Sequence, residues 1–224
     1  MKEVIDFLHL LHANNNRPWF QANRDLYDAA NNRFNAFVDD LIAGIATFDP
    51  SVAHLTASDC TYRIYRDVRF SPNKMPYKTH FAAYICAWGK KSPYAGYYFH
   101  VEPPGFGYLN GHQLVTGLYA PAGPILKSVR EDILHNGDNF HAAVQAAHGF
   151  VTETTDALKR VPVGYPADYI YADYLRMKHP CLVKYVDDSF MLSPDLLSNT
   201  VEAFSRTAPF AATLNNSVAF ALDS

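Results

Sequence analysis

The residues best equipped for chemistry lie in one run, Arg63-Ile64-Tyr65-Arg66-Asp67-Val68-Arg69-Phe70-Ser71, continued after a short gap by Lys74-Met75-Pro76-Tyr77-Lys78-Thr79-His80. Arg63, Arg66, Arg69, Lys74 and Lys78 are five of the nineteen Lys and Arg residues, and Asp67 is the one acid among them. The run thus carries +4 in a chain whose formal charge is −3, which leaves −7 for the remainder. A positive island on an acidic protein concentrates attraction at one place. An arginine fork grips a phosphate or carboxylate through two hydrogen bonds, and a lysine adds a point charge. Pro72 and Pro76 lower the entropy lost when such a loop is ordered.

A second group follows in the segment Tyr97 to Glu102, where strand geometry turns His100 and Glu102 the same way. A pocket built from Arg63, Arg66, Arg69, Lys74, Tyr77 and Lys78 and framed by His80, His100 and Glu102 is the expected site. If the site is catalytic, His80 or Glu102 serves as acid/base and the arginines stabilise charge. Strand parity over 61–68 places Arg66 on the more apolar face, where it needs a carboxylate, backbone carbonyls or a ligand as partner. Asp67 and Glu102 are the expected counter-ions. His100 and Glu102, with His80 or His112, could also ligate a metal, but no His-Glu-x-x-His spacing accompanies them and no metal is expected. No phosphate-binding glycine motif, no Gly-x-Ser-x-Gly elbow and no pattern naming a cofactor is present.

These residues must be held by elements that the apolar pattern marks out. Val4, Ile5, Leu8 and Leu11 predict a short helix ending in Asn14-Asn15-Asn16. Asn16 then caps a long second helix, with Pro18 in its first turn and a stripe through Trp19, Asn23, Tyr27, Ala30, Phe34, Val38, Leu41 and Ile45. Asp49-Pro50 stops it. Segments 61–68, 81–88, 97–102 and 113–119 read as strands, with 89–96 joining the second and third as an antiparallel hairpin. Helical period returns over 124–135 and 139–147, a short helix fits 171–178, a strand 181–186, and a last helix capped by Ser193 is interrupted at Pro209. The fold class expected is α+β, a largely antiparallel central sheet covered by N-terminal and C-terminal helices. One domain over 1–224 is expected, with helices at about 3–48, the sheet at about 58–120, and helices plus one further strand at about 122–222.

Composition limits the class further. Hydrophobic residues at 49%, with fifteen Tyr and fifteen Phe, supply a core and exclude a disordered chain. Cys60, Cys86 and Cys181 are odd in number and far apart, so a reducing cytoplasm is the compartment expected. The first residues are acidic where a signal peptide is basic, and no apolar run is long enough for a membrane span.

Together with Asn14-Asn15-Asn16-Arg17-Pro18-Trp19-Phe20, Tyr97-Tyr98-Phe99-His100-Val101-Glu102-Pro103 and Gly117-Leu118-Tyr119-Ala120-Pro121, the two basic motifs resemble a family of bacterial and fungal proteins catalogued as a conserved domain of unknown function. The similarity runs from about Phe7 to Asn216. It implies one domain and names no reaction, cofactor or catalytic residue. Met75 stands where that family usually has Thr, and Val115-Thr116 where it is richer in Gly.

Three functions compete on these grounds. The first is a site for an anionic group, phosphate or carboxylate, on a small molecule or polyanion. The second is an interaction module whose basic loop docks an acidic protein or a nucleic-acid backbone. The third is an internal ion-pair network of Arg66, Asp67, Arg69 and Glu102 that only stabilises the loop.

Overall fold

The computed structural model describes residues 1–223. Helix α1 (Lys2–Ala13) forms where Val4, Ile5, Phe7, Leu8 and Leu11 make one apolar stripe, and all five are buried. Asn16 accepts a hydrogen bond from the Trp19 N–H at 3.0 Å and caps α2 (Arg17–Ala22), as its side chain and Pro18 foretell. The long second helix is in fact two. Asn23 Nδ2 donates to the Trp19 carbonyl four residues back at 2.8 Å, and the backbone bends there to φ −121°, ψ 33°. Helix α3 (Arg24–Ala46) starts afresh and buries Tyr27, Ala30, Phe34, Val38, Leu41 and Ile45. Asp49 then caps a 3₁₀ turn at Pro50–Val52, and α4 (Ala57–Cys60) follows.

Three hairpin-linked strands come next: β1 (Phe81–Cys86), β2 (Gly96–Val101) and β3 (His112–Gly117). Helix α5 (Gly123–Ala146) is continuous but for a non-helical Asn136, where the sequence pattern divides it in two. After β4 (Val151–Thr152) and α6 (Ala172–Leu175), β5 (Cys181–Val186) matches the strand expected there. Helix α7 (Asp188–Met191) was not expected; α8 (Leu196–Ser205) begins three residues after Ser193, whose hydroxyl accepts from the Asp195 N–H at 3.1 Å instead of capping the helix. Pro209 sits in the first turn of α9 (Ala208–Asp223), where its missing N–H costs little.

The sheet is antiparallel throughout, in the order β1-β2-β3-β5-β4, and the fold is α+β. Register separates its two faces. Phe81, Ile85, Tyr97 and Phe99 point to the helices: Phe34 meets Phe81 at 5.2 Å, Phe37 meets Phe99 at 4.9 Å, and Phe204 meets Tyr97 at 5.4 Å between ring centroids. Tyr84, Tyr98 and His100 point the other way, Tyr98 paired with Tyr84 and Val115, His100 with Ala82 and Gln113. An antiparallel sheet can bury one face and leave the other polar, and this one does. Cys60, Cys86 and Cys181 are buried and unbridged.

The strand expected over 61–68 does not form, so the sheet starts at Phe81 and not near residue 58. Only single bridges survive, Thr61 with Ala83 and Tyr65 with Tyr77. Residues 64–66 fold back on 76–78 through Lys78 N–H to Ile64 O at 2.8 Å and Arg66 N–H to Pro76 O at 2.9 Å. Pro76 has no N–H to return, and the ladder ends there. Alternating aromatic and β-branched residues thus make a hairpin-like loop, its tip at 67–75.

Candidate functional site

The basic run is divided by this loop. At the tip, Arg69 is paired with Asp67 at 2.7 Å, and Arg69 N–H also donates to Asp67, which holds that carboxyl below its ordinary value. Lys74 Nζ donates to the Val68 carbonyl at 3.0 Å. Half-buried Arg66 donates to the Met75 carbonyl at 3.1 Å and to Ser71 Oγ at 3.3 Å. Its partners are therefore loop groups; neither Asp67 nor Glu102 is its counter-ion. The expected four-residue ion network reduces to the single Arg69–Asp67 pair, because Glu102 is occupied elsewhere.

Tyr77 belongs to the scaffold of the loop. Its ring is buried and stacks on Phe20 at 4.0 Å. Asn15 brackets its backbone, accepting from Tyr77 N–H at 3.2 Å and donating to Tyr77 O at 3.0 Å. Of the Asn14 to Asn16 run, one residue caps a helix and one pins the loop.

At the base of the loop the remaining candidates do converge. The Lys78 ammonium lies 5.4 Å from the centroid of the Tyr62 ring, and burial, then Arg63, pushes it below its usual range. Among the described residues, neither Lys78 nor Arg63 makes an ion pair. His80 is buried with its ring stacked on Tyr108 at 4.3 Å and 4.8 Å from His100. Burial first, then His100 and Lys78, holds its imidazole down to about 3. Its Nδ1 is buried with no hydrogen-bond partner among the described residues.

Glu102 is fully enclosed, and its carboxylate is held by groups of the protein itself. Its Oε1 accepts from Tyr108 N–H and its Oε2 from Leu109 N–H, both at 2.7 Å, and Oε2 lies 3.1 Å from His100 Nε2. Burial pushes this carboxyl up, but the hydrogen bonds from His100, Tyr108 and Leu109 outweigh it and bring it to about 2. His100, equally enclosed, is kept below its usual range by burial, against the pull of Glu102. Its Nδ1 is 2.9 Å from Tyr98 Oη. His112 accepts from the Glu102 N–H at Nδ1, 3.1 Å, which places its proton on Nε2, 2.8 Å from Asp188 of α7.

Both His100 nitrogens and both Glu102 oxygens are engaged in hydrogen bonds within the protein. Among the described residues, no group of three or more His, Cys, Asp or Glu side chains is placed to hold a metal. Gly117, at φ 144°, approaches the Pro180 carbonyl across the β3–β5 pair, where a Cβ would sit 2.1 Å from that oxygen. It serves the sheet and not a ligand.

Tyr98, Tyr108 and Asp188 were missed as site residues. Tyr98 carries a usable signal, since it shares strand parity with His100 and Glu102. Tyr108 touches His80 by its ring and Glu102 by its backbone, which no side-chain motif encodes. Asp188 lies 76 residues beyond His112 and has no local signal.

No helix among the described residues is long and apolar enough to cross a membrane. No curated protein and no solved structure matches the chain. The profile of DUF2461, a family of conserved hypothetical proteins, matches residues 3–212, and the chain belongs to that family.

Proposed function

We propose that this domain binds an anionic group, phosphate or carboxylate, at the base of the 61–80 loop, with Lys78 and Arg63 as its cationic contacts beside His80 on the polar side of the sheet. Arg66, Arg69 and Lys74 build the loop, and Tyr77 anchors it. The observation that carries this reading is the Lys78–Arg63 pair. Burial first, and then the Arg63 charge, depresses Lys78, and among the described residues no ion pair relieves either cation. An anion between them would restore the balance and could accept bidentate hydrogen bonds from Arg63.

The test is thermal melting with inorganic phosphate, citrate, AMP and a sugar phosphate as probes. At least one probe should raise Tm saturably, since a ligand that binds only the folded state stabilises it by mass action. Lys78→Ala and Arg63→Ala should each weaken the response about tenfold or more, consistent with about 1.5–3 kcal/mol for a charge-assisted bond. Arg69→Ala should retain it. No response to any probe, or an undiminished response in both base variants, would sink the proposal.

A second reading rests on the loop tip. Phe70 is 94% exposed, and the Arg69 guanidinium stands 5.9 Å from its ring centroid. An exposed aromatic flanked by cations suits docking to a nucleic-acid or acidic protein surface. Binding of a single-stranded oligonucleotide that falls steeply with salt and is lost in Phe70→Ala would favour the tip.

A further inference from the structure

Strand β2 and the residue that follows it carry three side chains whose order is that of a nucleophile, a base and an orienting carboxylate. Tyr98, His100 and Glu102 occupy alternate positions and share the polar face. The chain of contacts is continuous: Tyr98 Oη to His100 Nδ1 at 2.9 Å, and His100 Nε2 to Glu102 Oε2 at 3.1 Å.

The protonation states follow from the far end. Two backbone N–H groups fix the Glu102 carboxylate at 2.7 Å each and keep it ionised. An ionised carboxylate only accepts, so His100 carries its proton on Nε2 and presents a lone pair at Nδ1. Tyr98 must then be the donor in its bond to Nδ1. His100 is entirely enclosed, whereas Tyr98 is half-buried.

Neighbouring Tyr84 shows what a structural tyrosine does on the same face. Its hydroxyl lies 2.9 Å from the carbonyl oxygens of both Tyr94 and Gly117, which share its one proton. Tyr98 is aimed at a base instead, and two histidines are kept neutral around it, His80 lying 4.8 Å from His100.

We propose that Tyr98 is a catalytic nucleophile, activated by His100 and oriented by Glu102, that attacks an acyl or phosphoryl centre on the polar face of the sheet. The Tyr98 oxygen forms a bond to the carbon or phosphorus, and the bond to the leaving group breaks with its electron pair departing on that group. The phenolic proton passes to His100 Nδ1, and the imidazolium rests against the Glu102 carboxylate. His100 then gives that proton to the departing group. Water attacks the aryl ester, passing one proton to His100 Nδ1 while its oxygen bonds to the carbon or phosphorus and keeps the other; the bond to the Tyr98 oxygen breaks, and that oxygen takes the proton from His100. Burial holds the Tyr98 phenol well above its ordinary value, so the resting hydroxyl is protonated and becomes nucleophilic only as it yields that proton.

This goes beyond anion binding, and its test does not draw on Lys78 or Arg63, so each proposal can fail alone. The intact chain is treated with a neutral aryl sulfonyl fluoride, which a nucleophilic tyrosine oxygen displaces with loss of fluoride. Adducts are mapped by mass spectrometry over the fifteen tyrosines. Tyr98 should be modified at least tenfold faster than Tyr119, which is 81% exposed and serves as the internal reference. His100→Gln, if folded by circular dichroism, should remove that advantage. Modification of Tyr98 no faster than of Tyr119 in the wild-type chain overturns the proposal, as does an unchanged rate in folded His100→Gln. Should that variant not fold, the wild-type ratio alone decides.

Discussion

His80 shows how one enclosed ring couples the site to pH. It faces the Tyr108 ring, His100, Glu102, Lys78 and Arg66; His100 shares its titration range, and the lower part of that range overlaps that of Glu102. Its folded pKa of about 3 lies below the ordinary 6.5, so between those values the unfolded chain binds a proton that the folded chain refuses. Stability contributed by neutral His80 is therefore complete above pH 6.5 and declines as pH falls towards 3, by at most about 1.4 kcal/mol per pH unit. His100 adds in the same direction. Glu102 acts lower: its contribution is complete above its ordinary 4.5 and is lost as pH falls towards about 2. Denaturant titrations between pH 5 and 7 should show wild-type stability falling with acid and a shallower fall in His80→Phe, which keeps a ring against Tyr108. Equal slopes would contradict the enclosed neutral imidazole. His80 was legible as a site candidate from the motif, but its lack of a hydrogen-bond partner depends on Tyr108 folding over it.

The 61–80 loop is the element whose identity changed most between sequence and structure. Its residues have the composition of a strand, and Ile64 does turn inward, only 2% exposed. What it lacks is a partner edge able to donate along its length, because Pro76 begins the returning limb. The loop is instead secured at its neck by Asn15 and by Tyr77 stacked on Phe20. Asn15→Ala removes two hydrogen bonds worth about 1–3 kcal/mol together. It should speed limited proteolysis within 67–75 several-fold while barely changing the circular dichroism. An unchanged cleavage rate would mean that the stacked ring holds the neck unaided. Helices α2 and α3 teach the same lesson: the apolar stripe runs unbroken past Asn23, and one side-chain bond to the Trp19 carbonyl makes the bend.

Across the whole molecule, two apolar clusters lie on the helical side of one sheet. The larger joins α1, α3 and α8 to β1 and β2; the smaller gathers Ile125, Val129, Ile133 and Phe140 of α5 with Phe210 and Leu214 of α9 and Leu182 of β5. Two contacts link them. Phe150 packs against both, and the Thr116 hydroxyl of β3 meets Thr207 at 2.7 Å in the interior. Calorimetry should therefore give one transition. Phe210→Ala, costing about 3–5 kcal/mol, should lower that transition by roughly 10 °C without splitting it. Two resolved transitions would show that the clusters melt independently.

Fold class, the hairpin strands, the α3 stripe and β5 were determined by the sequence alone, because periodicity and turn residues act over neighbours along the chain. The same locality made Arg63, Lys78, His80, His100 and Glu102 visible as candidates. Tertiary structure decided how they divide. It gave Arg66, Arg69 and Lys74 local partners and placed Lys78 and Arg63 near each other with no ion-pair partner among the described residues. It also enclosed Glu102 behind two backbone N–H groups. Those outcomes depend on which groups desolvate together, and that is settled by loops returning from 103–111 and by strand register, neither of which a charge pattern specifies. Strand parity offered Tyr98, but only the packed sheet showed its hydroxyl aimed at an imidazole and not at a carbonyl.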